Sequence, residues 1–338
     1  MPDTPMPLPM PLRTVRVARE IARRDILMAV ARVPNSTRLL VGSSEGKVFE
    51  LDASTTNAPV IEHANHGRYV TSIALAGQAV ISGSYDGKLI WWDLAHRREI
   101  RNVEGHSRQV RMIAASSDGA KIATVGDDMV CRIWNAETGT KLHELRGHQE
   151  RTPTHFNSML YCCVFSADGR HLATGDRVGH VVVWDVAEGR QITAVEAPLL
   201  YTWDGVQRIR SIGGVRALAF SPDGTHLAVG GVGQIGNVDG LSGPSRVEVF
   251  EWNRRQRVHE FTGAQGIINR LHYHPSGEWL GAFGGGGGGI VQFQDPARRV
   301  FLHQGNAPMF VHDAVLSEDA STLFAVGHQK AVVLELQR

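Results

Sequence analysis

Apolar and polar residues alternate in short runs along this chain. The clearest are "KLIWWD" (88–93), "VCRIWN" (130–135) and "HVVVWD" (180–185), each closing an alternating apolar run on an aromatic followed by a polar residue. Weaker copies stand at "KVFELD" (47–52), "VEVFE" (247–251), "IVQFQ" (290–294) and "VVLEL" (332–336). Anchored on Leu51, Trp92, Trp134, Trp184, Phe250, Phe293 and Leu334, the units recur after 41, 42, 50, 66, 43 and 41 residues. Self-similarity at a fixed period of this size marks a repeat architecture. Upstream of several anchors lies a turn such as "SSDG" (116–119), "SADG" (166–169), "SPDG" (221–224) or "HPSG" (274–277). An Asp-Gly pair between alternating runs predicts a hairpin, because glycine takes the positive φ that a tight turn requires. With the runs on either side, each unit reads as four short strands in one antiparallel sheet.

The Trp-Asp ends of these units, with "EGH" (104–106) and "RGH" (146–148) before the next ones, resemble the WD-repeat β-propeller family. The resemblance covers nearly the whole chain. It implies an all-β fold, a seven-bladed propeller of four-stranded antiparallel blades, in which an N-terminal strand completes the last blade; "LRTVRVAR" (12–19) alternates like a strand and has no blade of its own. The expected layout is a proline-rich arm over 1–11, then a single propeller over 12–338. Its blades would span about 25–62, 69–104, 109–146, 159–197, 214–262, 267–304 and 310–338.

By the same resemblance, His66, Ser82, Asp86 and Trp92 in the second blade, and His106, Thr124, Asp128 and Trp134 in the third, form structural tetrads. A serine or threonine with histidine and aspartate also suggests acyl transfer. The resemblance assigns these groups instead to a buried network in which unpaired members would cost about 1–3 kcal/mol each. In the fourth blade His148, Thr174 and Trp184 stand in place, with Val178 at the aspartate position. The fifth and sixth carry Phe250 and Phe293 for the indole, and should rely more on apolar packing.

The repeat also gives a ruler. From anchor to the next hairpin glycine the usual count is 27, as in Trp92 to Gly119; Trp134 to Gly169 is 35 and Trp184 to Gly224 is 40. Within a blade, glycine to anchor is 15 in the third and fourth, yet Gly224 to Phe250 is 26. Three insertions result, in "QERTPTHFNSM", "LLYTWDGVQRIRSIGG" and "GVGQIGNVDGLSGPS", and in a propeller all would emerge on one face around blades 4 and 5. Binding residues concentrate on loops carried by a rigid scaffold, and aromatics with arginine dominate interaction hot spots. The candidate partner-binding residues are Arg151, His155, Phe156, Tyr201, Trp203, Arg208, Arg210, Gln234, Asn237 and Asp239. Packing of Phe156, Tyr201 and Trp203 onto the propeller is the competing role.

The unbroken run Gly284–Gly289 lies nine residues before Phe293, as Gly175 does before Trp184, and so fills the turn between second and third strands without added length. It leads into a strand with no "GK" pair, which argues against a phosphate loop. It leaves a dip in the rim beside the inserted loops.

Thirty-five Lys and Arg against 34 Asp and Glu leave a net charge of +1, so no overall field draws the protein to nucleic acid or anionic lipid. Basic turns at "HRR" (96–98), "NRRQR" (253–257) and "PARR" (296–299) are explained by edge protection of outer strands. Cys131, Cys162 and Cys163 read as buried thiols in a reducing compartment. His272 and His274 share a strand face without a third ligand at a recognisable spacing. Prolines through "MPDTPMPLPMPLR" exclude a helical signal core, and no stretch approaches a membrane span. The expectation is a cytoplasmic, non-enzymatic scaffold, without cofactor, metal or catalytic residue. It would hold one or more proteins or peptides, the alternative being a receptor for a small ligand or peptide at the central opening.

Overall fold

The alternating runs become strands and the glycines at their ends become turns. A computed structural model describes residues 12, 14–57, 59–206, 209–236 and 243–337. Five four-stranded antiparallel sheets follow in chain order, the second blade for example from Val70–Ala76, Ala79–Ser84, Lys88–Asp93 and Arg98–Glu104. The hairpin glycines take the positive φ expected of them: Gly119 at 67°, Gly169 at 68°, Gly224 at 71° and Gly277 at 79°.

A further sheet has six strands, and its register divides it into two blades. The strand Thr322–Gln337 doubles back on itself: Gln329 takes φ 57° and the Leu336 N–H donates to the Ser321 carbonyl. Its first half pairs with Val311–Leu316, and its second half with the start of the 19-residue strand Thr14–Arg32. That strand pairs over Thr14 to Ala22, and after an irregularity again at Ile26, with the last blade, then over Leu27 to Arg32 with the first. The N-terminal strand therefore closes the ring, pairing beyond the 12–19 expected for it as far as Ile26, and continues without a break into blade 1.

A sevenfold register runs through the start of the innermost strands, in blade 5 through the two residues just before Ala217–Phe220. Leu27, Val70, Val110, Leu160, Val215, Ile268 and Val311 are each fully buried. The residue after each lines the central channel: Met28, Thr71, Arg111, Tyr161, Arg216, Asn269 and His312. Successive side chains on a strand point opposite ways, so one position locks into the inter-blade core while the next faces the axis. The adjacent cysteines show the same alternation: Cys162 packs with Val215 and Leu218 of blade 5, and Cys163 with Ala123 and Val125 of blade 3. Burial raises both thiols, Cys163 to about 12, so neither is a nucleophile at neutral pH.

Blades 5 and 6 replace the indole by apolar contacts. Phe250 is 3% exposed, and Phe293 is enclosed edge-on by Trp279 and Phe283 at ring distances of 4.9 and 5.6 Å. The glycine run has two different roles. A Cβ on Gly289 would lie 2.1 Å from the Met309 carbonyl oxygen, and one on Gly284 1.8 Å from that of Ile267. Gly287 would meet nothing within 4 Å and has no positive φ. Gly287→Ala should thus be neutral or stabilise by up to about 1 kcal/mol through the unfolded chain, while Gly289→Ala should cost about 1–3 kcal/mol. Urea denaturation of the two variants separates them, and equal effects would contradict this division of the run.

Candidate functional site: the face of the inserted loops

Histidines from the inter-blade connections and carboxylates from the turns between second and third strands meet in hydrogen bonds, so both connections emerge on one side of the ring. His66 Nδ1 lies 3.1 Å from Asp86 and its Nε2 2.7 Å from Ser82 Oγ, to which Trp92 Nε1 donates at 2.9 Å. His106 repeats this with Asp128 at 2.8 Å, Thr124 at 2.8 Å and Trp134 donating at 2.9 Å. Burial outweighs the neighbouring carboxylates and lowers both histidines, which are neutral at pH 7. An ionised carboxylate only accepts, so each imidazole carries its proton on Nδ1 and its Nε2 accepts from the hydroxyl. Every polar atom in the chain from indole to carboxylate is satisfied, which leaves no nucleophile aimed at solvent.

In blade 4 the aspartate is displaced, not lost. Asp176, two residues before Val178, accepts from His148 Nδ1 at 3.0 Å, and both side chains are 1% exposed. Thr174 bridges His148 and Trp184 at 2.8 and 2.9 Å. The expected gap at Val178 is corrected by the last residue of the preceding strand, His171–Asp176, whose other oxygen accepts from the Val178 and His180 N–H groups at 3.0 Å.

The second insertion touches both of the others. The first, before Leu160, closes on itself through a bridge between Arg151 and Asn157, with His155 at φ 66°. The second forms a hairpin of Tyr201–Asp204 and Arg210–Gly213. Phe156 packs on Trp203 at 5.3 Å, and Thr154 Oγ1 reaches the Tyr201 hydroxyl at 3.4 Å. The third meets the second where Gln234 Nε2 donates to the Tyr201 carbonyl at 2.9 Å and the Ile235 N–H to Thr202 Oγ1 at 3.0 Å. Arg177 ties the first two to blade 4, donating to the Asn157 and Ser211 carbonyls.

Among the sequence candidates, Arg151, His155, Phe156, Arg210 and Gln234 are exposed, while Tyr201 and Trp203 are half-buried and hold the loops together. Arg208, Asn237 and Asp239 lie outside the described residues. Sequence reasoning missed Val206 and Ile209, 92% and 63% exposed at the hairpin tip. In the sequence they are apolar residues within a polar turn, and whether such residues are covered is decided by the fold around them. With Phe156, 43% exposed, they give this face an apolar character beside Arg151 and Arg210.

Other candidates are absorbed by structure. His272 Nε2 donates to the Ala314 carbonyl at 2.7 Å, and His274 Nδ1 bonds Ser276 at 2.7 Å; the described residues contain no cluster of three or more metal-ligating side chains. On the opposite rim Arg254 pairs with Glu251 at 3.2 Å, Arg257 with Glu248 at 3.2 Å and with Glu260 at 3.0 Å, and Arg298 with Asp295 at 3.7 Å. No helix among the described residues is long and apolar enough to cross a membrane.

Comparison with known families matches residues 58–93, 97–135, 139–185 and 207–235 to "WD domain, G-beta repeat". Similar curated proteins include apoptotic protease-activating factor 1 of Rattus norvegicus, 31% identical over 57% of this chain and 15% of its own length. Telomerase protein component 1 of the same species is 27% identical over 75% of this chain and 8% of its own. Autophagy-related protein 16 of Arabidopsis thaliana is 28% identical over 40% of this chain and 26% of its own. The chain therefore spans about a quarter or less of these relatives.

Proposed function

Because this chain is a WD-repeat β-propeller, of a kind that generally binds proteins or peptides, we propose that it is a non-catalytic, cytoplasmic interaction scaffold whose protein partner docks on the inserted-loop face at blades 4 and 5. The observation that supports this reading is the mutual packing of three insertions distant in sequence, which leaves Phe156, Val206 and Ile209 outward next to Arg151 and Arg210. Aromatic and arginine anchors within a water-excluding rim carry most of the energy in protein interfaces. A receptor for a whole peptide at the central opening is the weaker reading: the recess there holds about 170 Å³, below the roughly 300 Å³ at which drug-sized ligands begin to fit.

The test is affinity purification from the native cell with a double variant, Phe156→Asp and Val206→Asp. Losing a hot spot of about 2 kcal/mol weakens binding roughly 30-fold, so the principal co-purifying protein should disappear while the melting temperature stays within about 2 °C. Retention of that protein at wild-type yield would contradict the assignment.

A further inference from the structure

We propose that the mouth of the central channel is an oxyanion site, built to seat one carboxylate or phosphate group against Arg216. The channel ring carries two guanidinium groups, Arg111 and Arg216, and a third, Arg270, stands beside it. Two of the three are neutralised. Arg111 makes a two-pronged pair with Asp127 at 2.6 Å, and Arg270 pairs with Asp313. Among the described residues, Arg216 pairs with no carboxylate. Its charge rests instead on the face of Tyr161, 3.7 Å from the ring centre, and among the described residues its buried Nε has no hydrogen-bond partner.

A second unpartnered nitrogen, His312 Nε2, lines the same recess. Burial and the proximity of His328 hold this histidine down to about 4, so at neutral pH it is uncharged and can donate from one ring nitrogen. Three guanidinium groups against two carboxylates leave one uncompensated positive charge, with two nitrogens able to donate. Buried donors and charges in folded proteins are ordinarily paired, and the groups that satisfy both here are anionic oxygens. Stacking also fixes the plane of Arg216, and its two terminal nitrogens present the forked geometry that carboxylate and phosphate accept. A volume of about 170 Å³ suits a small ion or a single acidic side chain.

This assignment is independent of the loop face. A free small anion and the side chain of an acidic peptide share the required chemistry, and the experiment separates them. The full-length protein is titrated calorimetrically at constant ionic strength with succinate, with inorganic phosphate and with a capped tri-glutamate peptide. Saturable binding of succinate or phosphate identifies a free-anion site, and binding of the peptide alone identifies a side-chain site.

In either case Arg216→Gln should weaken binding at least tenfold, while losing only its stacking on Tyr161 and so lowering the melting temperature by a few degrees at most. If that variant does not fold, Arg216→Lys, which keeps the charge and loses the fork, should give a smaller weakening. Absence of saturable binding by all three probes, or equal binding by the wild type and the Arg216 variant, overturns the proposal.

Discussion

Replacing Asp313 by alanine should cost about 3 kcal/mol or more, the largest loss expected from any single side chain considered. Asp313 is 3% exposed and stands where the ring closes. It accepts from the Val30 N–H of blade 1 at 2.9 Å, from its neighbour Ala314 at 2.7 Å, and from Arg270 of blade 6. Burial by itself would lower the Arg270 guanidinium, but the charge and hydrogen bond of Asp313 outweigh it and hold the group raised. Without the carboxylate, a guanidinium only 20% exposed is left with the Met112 sulfur at 3.5 Å. Breaking a buried pair by deleting one partner typically costs about 3–5 kcal/mol, and access through the channel places this case near the lower end. Asp313→Asn, which keeps an acceptor for Val30, should lose less. Urea denaturation measures both, and a loss below about 1 kcal/mol for the alanine variant would show that Asp313 does not hold the closure.

The second large effect is expected at Asp128, with a loss of about 2–3 kcal/mol for alanine. Burial would raise this carboxyl, but bonds from His106 and then Arg132 outweigh that and hold it well below the usual carboxylate range. Its folded value is thus depressed, so the stability it contributes is present above the unfolded value near 4 and lost as pH falls below it. Alanine would strand the Nδ1 proton of His106, while Arg132 keeps Glu144 at 3.2 Å, which limits the damage. Below its melting temperature the variant should keep the partner proposed for the inserted-loop face. Unchanged melting with loss of that partner would make Asp128 a contact residue and contradict its structural role.

Much of this was legible because a propeller repeats one unit. The Trp92, Trp134 and Trp184 anchors set the period, and departures from it located the insertions by arithmetic alone. Asp176 escaped because position counting assumes that the carboxylate sits within the turn, whereas here it ends the strand before it and swings to the same histidine. The channel ring escaped for a different reason. Arg111, Tyr161 and Arg216 are some 50 residues apart in sequence and become neighbours only when the ring closes. Their mark was nevertheless present, as a polar or aromatic residue directly after a buried aliphatic at the start of the inner strand in six of the seven blades, Met28 being the exception. The exposed Val206 and Ile209 show the limit of composition, since whether an apolar residue in a turn is covered depends on the fold around it.

The central claim, that insertions scattered through the chain form one docking face, is most directly tested by placing a photo-reactive phenylalanine analogue at position 156 and, in a separate variant, at position 254 on the opposite rim. Irradiation in the native cell followed by mass spectrometry should yield protein adducts at 156 at least about tenfold above those at 254, a contrast in keeping with interface energy concentrated in a few residues. Adducts that form equally at both positions, or only at 254, would contradict it.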